Sequence, residues 1–145
     1  MIALLQRVAW ASVDVDGQRV AEIGAGLLVL LGIDRGDTPA TGLRMLDRLL
    51  NYRVFADTSG RMNLSLKQTG GGLLLVPQFT LAADTRKGTR ASLSQAADPD
   101  TGRALFGTLV EQARLRHREV AAGVFGADMQ LALTNDGPVT FILHA

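Results

Sequence analysis

Gln78-Phe79-Thr80 sets an amide, an aromatic ring and a hydroxyl in three consecutive residues. An aromatic face can stack on a nucleobase. A hydroxyl can attack an acyl group when a neighbouring base activates it, but no general base is evident beside Thr80. The segment leaves a strand and enters a polar loop, a common place for a site. That loop carries Arg86, Lys87 and Arg90. Charge alone favours a solvated surface there, with phosphate contact as the sharper alternative. Gly137-Pro138 lies between two apolar segments. Its plain reading is a turn with a trans bond, since only about 5–6% of X–Pro bonds in folded proteins are cis.

Other chemistries are excluded or weak. The chain has no Cys, which removes disulfides, thiolate nucleophiles and Cys-based zinc sites. Its two histidines, His117 and His144, have no metal-type spacing, so no metal site is expected. His117 lies among Arg114, Arg116 and Arg118 and reads as part of a solvated helix face. Asp98 and Asp100 flank Pro99 where a helix cap belongs, and Asp84 reads as a turn residue. Gly70-Gly71-Gly72 is not followed by Lys-Ser/Thr and leads into a strand, which argues against a phosphate loop. Gly24-Ala25-Gly26 lacks the third glycine of a dinucleotide fingerprint. These patterns call for no cofactor.

The elements that must position these residues follow from periodicity and turn chemistry. Ile2 to Val15 and Gln18 to Ile23 read as strands joined by Asp16-Gly17, a strong hairpin signal. Gly26 to Ile33 reads as a strand covered on both faces. A first helix is expected from Thr38-Pro39, with Leu43, Leu46, Leu49 and Leu50 inward. Tyr52 to Phe55 reads as a strand and Asp57 to Gly60 as a turn. Leu73 to Val76 reads as the strand before Gln78. A second helix is expected from Asp98-Pro99 to about Arg118, with Leu105, Leu109 and Ala113 inward. Two last strands, Met129 to Thr134 and Val139 to Leu143, are expected around Asn135-Asp136-Gly137-Pro138. This order predicts an α+β domain with mostly antiparallel sheets and helices to one side.

The 145 residues suit one domain spanning 1–145, and 47% hydrophobic against 20% charged excludes general disorder. A net charge of +1 argues against a protein that coats nucleic acid, but not against one touching a short RNA end. No signal peptide or membrane span is expected, because Met1 to Val15 is broken by Arg7 and Asp14, and Leu27 to Ile33 is far too short.

Several motifs together resemble the D-aminoacyl-tRNA deacylase family over almost the whole chain. They begin with Gln6-Arg7-Val8 and Gly26-Leu27-Leu28-Val29-Leu30-Leu31-Gly32, then Arg53-Val54-Phe55 and Arg61-Met62-Asn63-Leu64-Ser65-Leu66. Most specific are Gln78-Phe79-Thr80-Leu81, Ala83-Asp84-Thr85-Arg86-Lys87-Gly88 and Asn135-Asp136-Gly137-Pro138-Val139-Thr140. The resemblance implies a compact layered ββα fold, a homodimer, and hydrolysis of the ester between a D-amino acid, or misplaced glycine, and the 3′ end of tRNA. It implies catalytic roles in Gln78, Phe79 and Thr80. Gly137 and Pro138, joined by a cis bond, would reach in from the other subunit and reject L-amino acids. Arg7 would brace that motif, with Met129, Asn135 and Thr140 supporting it or binding substrate. Arg86, Lys87 and Arg90 become candidate tRNA phosphate contacts. The implied location is cytoplasmic, with no membrane or DNA partner. The chain departs from the family's usual pattern at Pro77, where Ser is common, and at Ala91, where Pro is common. Rival expectations are an L-specific editing domain like that of some threonyl-tRNA synthetases, a non-catalytic RNA-end or DNA-binding module, and a plain dimeric scaffold.

Overall fold

A computed structural model describes residues 1–145. The strands are β1 (Ile2–Val15), β2 (Gln18–Ile23), β3 (Gly26–Gly32), β4 (Arg53–Ala56), β5 (Met62–Ser65), β6 (Gly72–Pro77), β7 (Val120–Ala122) and β8 (Gln130–His144). The helices are α1 (Pro39–Asn51), α2 (Leu66–Thr69) and α3 (Pro99–Arg116), and Phe79–Ala82 forms a 3-10 turn.

Six strands make one mixed sheet in the order β2-β1-β3-β6-β7, with β8 lying along β1. β1 pairs antiparallel with β2, β3 and β8. β3 and β6 run parallel, as do β6 and β7. The parallel pairs are the departure from a mostly antiparallel expectation. Each follows from a crossover: α1, β4, β5 and α2 separate β3 from β6, and α3 separates β6 from β7. β4 and β5 pair on their own.

The apolar run of β3 is buried on both faces, as its composition required. Leu27, Val29 and Leu31 join Leu73 and Leu75 under the helices, while Leu28, Leu74 and Val76 face a second core with Val8, Ala11 and Val13. The two backbones come close at the start of β3 and β6. A Cβ on Gly26 would collide with the Gly72 backbone and one on Gly72 with the Ile23 side chain, which explains glycine at both positions without any phosphate loop.

The helix starts behave as their sequences require. Thr38 accepts a hydrogen bond from the Thr41 amide at 3.3 Å, and Asp98 accepts from the Thr101 amide at 3.0 Å. Their inner faces are shifted from expectation. α1 buries Met45, Leu46, Leu49 and Leu50, with Leu43 only half-buried. α3 buries Gly102, Phe106, Leu109, Val110 and Ala113, while Leu105 is half-buried.

Three further expectations are corrected. The two last strands are one strand, β8, because both halves pair with the long β1 instead of with each other. His117 is buried, not solvated. It ends α3, and its Nε2 lies 2.6 Å from the Gly71 carbonyl oxygen, tying the helix to the start of β6. The Gly137-Pro138 bond is cis, against the base-rate expectation and in line with the family resemblance.

Candidate active site

β6 delivers the chain to the site. Its pairing with β3 extends to Leu31–Pro77, and the Gln78 amide then donates to the Leu31 carbonyl at 2.8 Å. Pro77 is accommodated because side-to-side alternation turns its nitrogen away from β3, past the last β6–β7 pair at Leu75–Ala122. The 3-10 turn then projects the Phe79 ring, which is 59% exposed. The Gln78 side-chain amide donates to the Thr80 hydroxyl oxygen, so the two polar side chains hold each other.

A cavity of about 480 Å³ opens here. One wall is Val76 to Phe79, a second is Ala97 and Pro99 at the start of α3, and a third runs from Phe125 to Met129 with Leu131. It is mostly apolar, with Gln78 and Asp128 as its polar side chains. That size and lining suit a small organic group such as a nucleoside.

The third wall was not foreseen beyond Met129. Phe125 sits against α3. The Arg103 guanidinium donates to the Phe125 carbonyl oxygen at 3.1 Å and lies 5.0 Å from the ring centroid. The Phe106 ring packs 6.2 Å away, centroid to centroid. An aromatic between Gly123 and Gly126 was the available signal in the sequence.

A second group forms in β8. Gln6 pairs with Thr140 and Val8 with Asn135, so residues 136–139 bow out opposite Arg7 alone. Arg7 donates through Nε to the Asp136 carbonyl at 2.9 Å and through Nη1 to the Val54 carbonyl at 2.6 Å. Asn135 closes the base of the excursion. Its Oδ1 accepts from the Val139 amide at 2.7 Å, and its Nδ2 donates to the Thr140 hydroxyl at 2.9 Å. Gly137 and Pro138 are exposed at the tip. They do not line the Phe79 cavity of their own chain.

The basic loop forms a third group. Asp84 and Ser92 exchange backbone hydrogen bonds of 2.8 and 3.0 Å, closing the loop at its neck. Arg86 is held by Asp84 through Nε at 2.9 Å and Nη2 at 2.6 Å. These bonds hold the Asp84 carboxyl well below the usual carboxylate range. Lys87 and Arg90 line the same polar hollow of about 400 Å³.

The structure thus brings Gln78, Phe79, Thr80 and Met129 together, and separately Arg7, Asn135, Gly137, Pro138 and Thr140. Arg86, Lys87 and Arg90 stand in the loop that follows the first group. A mixed sheet with helices and a largely apolar cleft at a strand end define a compact α+β protein with a small-molecule-sized site. The family described as "D-Tyr-tRNA(Tyr) deacylase" matches residues 4–144. A D-aminoacyl-tRNA deacylase of Thioalkalivibrio sulfidiphilus (strain HL-EbGR7) is 64% identical over 144 residues, covering 99% of this chain and 97% of that protein. One of Azotobacter vinelandii is 63% identical over 145 residues, with 100% of both covered. Among solved structures, the c-Myc DNA unwinding element binding protein superposes with a TM-score of 0.96 at 38% identity, over 100% of this chain and 99% of that one. A probable eukaryotic D-amino acid tRNA deacylase shares the fold, with a TM-score of 0.81 at 21% identity over 98% and 97%. The chain belongs to the D-aminoacyl-tRNA deacylase family.

Proposed function

We propose that this protein hydrolyses the ester joining a D-amino acid, or wrongly attached glycine, to the 3′ end of tRNA. The observation that carries this is the Phe79 cavity, formed by a motif of the family at the end of β6. The terminal adenosine would enter that apolar cleft beside Phe79 and Met129. The ester carbonyl would then lie by the first N–H groups of the 3-10 turn. Such groups have no partner inside their own turn and are suited to an oxyanion. Water attacks the carbonyl carbon, the ester C–O bond breaks, and the amino acid and tRNA leave. An aminoacyl ester is already activated, and the neighbouring ribose hydroxyl can assist. The Thr80 hydroxyl, bound to Gln78 and lacking a base, orders the turn and does not act as nucleophile.

Chirality is read by exclusion. The exposed Gly137-Pro138 tip lies outside its own chain's cavity, so a second copy must bring it to the first. The active unit is therefore a homodimer. Backbone carbonyls of Gly137 and Pro138 hold the substrate's amino group and leave no room for an L side chain. Arg7 and Asn135 hold the excursion in shape, with Thr140 as the Asn135 partner. Lys87 and Arg90, beside the Asp84-bound Arg86, contact the phosphates of the RNA strand. The working compartment is the cytoplasm, where charged tRNA is used.

The test is release of amino acid from matched D-tyrosyl-, L-tyrosyl- and glycyl-tRNA. Cleavage of the D and glycyl esters with L spared is expected. Cleavage of L-esters would favour an L-specific editing enzyme. A DNA-binding reading, favoured by the name of the 38%-identical structural relative, instead predicts duplex binding and no ester turnover.

A further inference from the structure

We propose that Arg103 is a positioning residue for the ligand cavity: it fixes Phe125, and through Phe125 it sets the wall against which the terminal base lies. The inference rests on the function proposed above for what the cavity takes, but its geometry stands apart from that reading.

Phe125 lies in the link between β7 and β8, Gly123 to Met129, which pairs with no strand. One end of this link is tied to β6, and a turn closes within it. The Gly123 amide donates to the Leu75 carbonyl at 2.9 Å, and the Ala127 amide to Val124 at 3.3 Å. Glycine at 123 and 126 leaves the backbone beside that turn adaptable. α3 holds Phe125 in place through the Phe106 ring and three further contacts. Arg103 Nη1 donates to the Phe125 carbonyl oxygen at 3.1 Å. The Arg103 guanidinium carbon stands 5.0 Å from the Phe125 ring centroid. Gly102 leaves space for the ring edge, since a Cβ there would come within 3.0 Å of Phe125 Cζ.

Arg103 is exposed, and its charge is not committed to a carboxylate. The ion pairs of the chain are those of the Met1 amine, Arg7, Arg19 and Arg86. Its hydrogen bond and ring contact are with Phe125, its Nη2 lies close to Gly126, and Arg103 itself does not line the cavity. A planar guanidinium can donate to a carbonyl and stack over a ring at once, which a lysine cannot do in the same way. Arg103 therefore acts on the ligand through the shape of the wall and not by touching it.

The experiment compares the wild-type protein with R103A, R103K, F125A and R103A/F125A. Two readouts are used: steady-state cleavage of D-tyrosyl-tRNA, and binding of adenosine followed by NMR. Adenosine carries no phosphate, so a direct phosphate contact by Arg103 would leave its affinity unchanged. R103A is expected to raise KM and weaken adenosine about tenfold, since only part of the lost cation–π contact and charged hydrogen bond is transmitted to the ligand. Its kcat stays within about twofold, because the reacting ester is held elsewhere. R103K recovers part of the loss. The double variant behaves like F125A alone, since Arg103 works only through that ring. Unchanged adenosine affinity in a folded R103A protein overturns the proposal. So does multiplication of the R103A and F125A effects, or a wild-type protein that does not bind adenosine. If wild type binds adenosine but cleaves nothing, the hydrolase reading falls and Arg103 is still judged by adenosine affinity.

Discussion

At Gly137 the backbone carries φ +145°, a region that side chains rarely enter, and a Cβ would press 2.6 Å from Val139 Cγ2 and 3.1 Å from Arg7 Nη2. G137A must therefore move the excursion or the Arg7 bond that holds it. Strain of this kind is of order 1–3 kcal/mol, enough to lower kcat/KM on D-tyrosyl-tRNA roughly tenfold or more. Loss of discrimination between D and L esters is expected alongside. Kinetics unchanged from wild type on both esters would remove Gly137 from the chiral filter. Much of this neighbourhood was visible in the residues themselves. Gln78, Phe79, Thr80, Arg7 and Asn135 drew notice by type or by family motif, and all take part in hydrogen bonds or cavity walls. Arg103 and Phe125 did not, because a cation and a ring 22 positions apart carry no local pattern. His117 misled for the same reason. Its arginine neighbours point to solvent, while its own partner, Gly71, is far away in the chain.

Among the elements, the β4–β5 hairpin depends on one carboxylate. Asp57 accepts from the Ser59 hydroxyl at 2.7 Å, the Asn63 amide at 2.7 Å and the Arg61 backbone at 3.0 Å. The Ser59 and Asn63 side chains, with help from Arg61, hold its carboxyl well below the ordinary value. A group whose folded pKa is depressed stabilises the fold fully above the unfolded pKa, about 3.9, and loses that contribution as pH falls through the folded value. Urea unfolding of wild type and D57N should thus differ most above about pH 4 and converge as the solution is acidified further. A gap that stays constant or widens in acid would contradict this. The hairpin also carries Val54, whose carbonyl anchors Arg7, so D57N reaches the Gly137 region indirectly. Element boundaries were read well where a cap or turn marks them: Thr38-Pro39, Asp98-Pro99 and Asp16-Gly17. β5, α2 and β7 were not, since each is only three or four residues long and too short to show a period. β8 was split in two at Asn135–Pro138. Turn residues look alike whether a chain reverses or only bows out from one long partner strand.

For the whole molecule, the Gly137-Pro138 tip does not line the Phe79 cavity of its own chain, so the proposed function predicts that activity depends on pairing. Activity per chain should fall as the protein is diluted through the monomer–dimer midpoint measured by sedimentation. Constant specific activity down into the monomer range would mean one chain suffices. The α+β class was predictable from the order of elements. The parallel centre was not, because strand direction is decided by crossovers that only the packed helices reveal. No helix is long and apolar enough to cross a membrane. The pairing of β1 with β8, from Ile2–His144 to Asp14–Gln130, has a consequence in time. A ribosome adds roughly 5–20 residues per second, so β1 is made some seconds before its longest partner exists. During that interval β2 and β3 can fold onto it, but one edge stays open to the solvent and to chaperones. The Asn135–Thr140 excursion, carried on the late strand, is seated after the cavity walls of β6 and α3. Under the proposed function, a nascent chain would hold most of its Phe79 cleft before it seats the segment assigned to telling one hand of amino acid from the other.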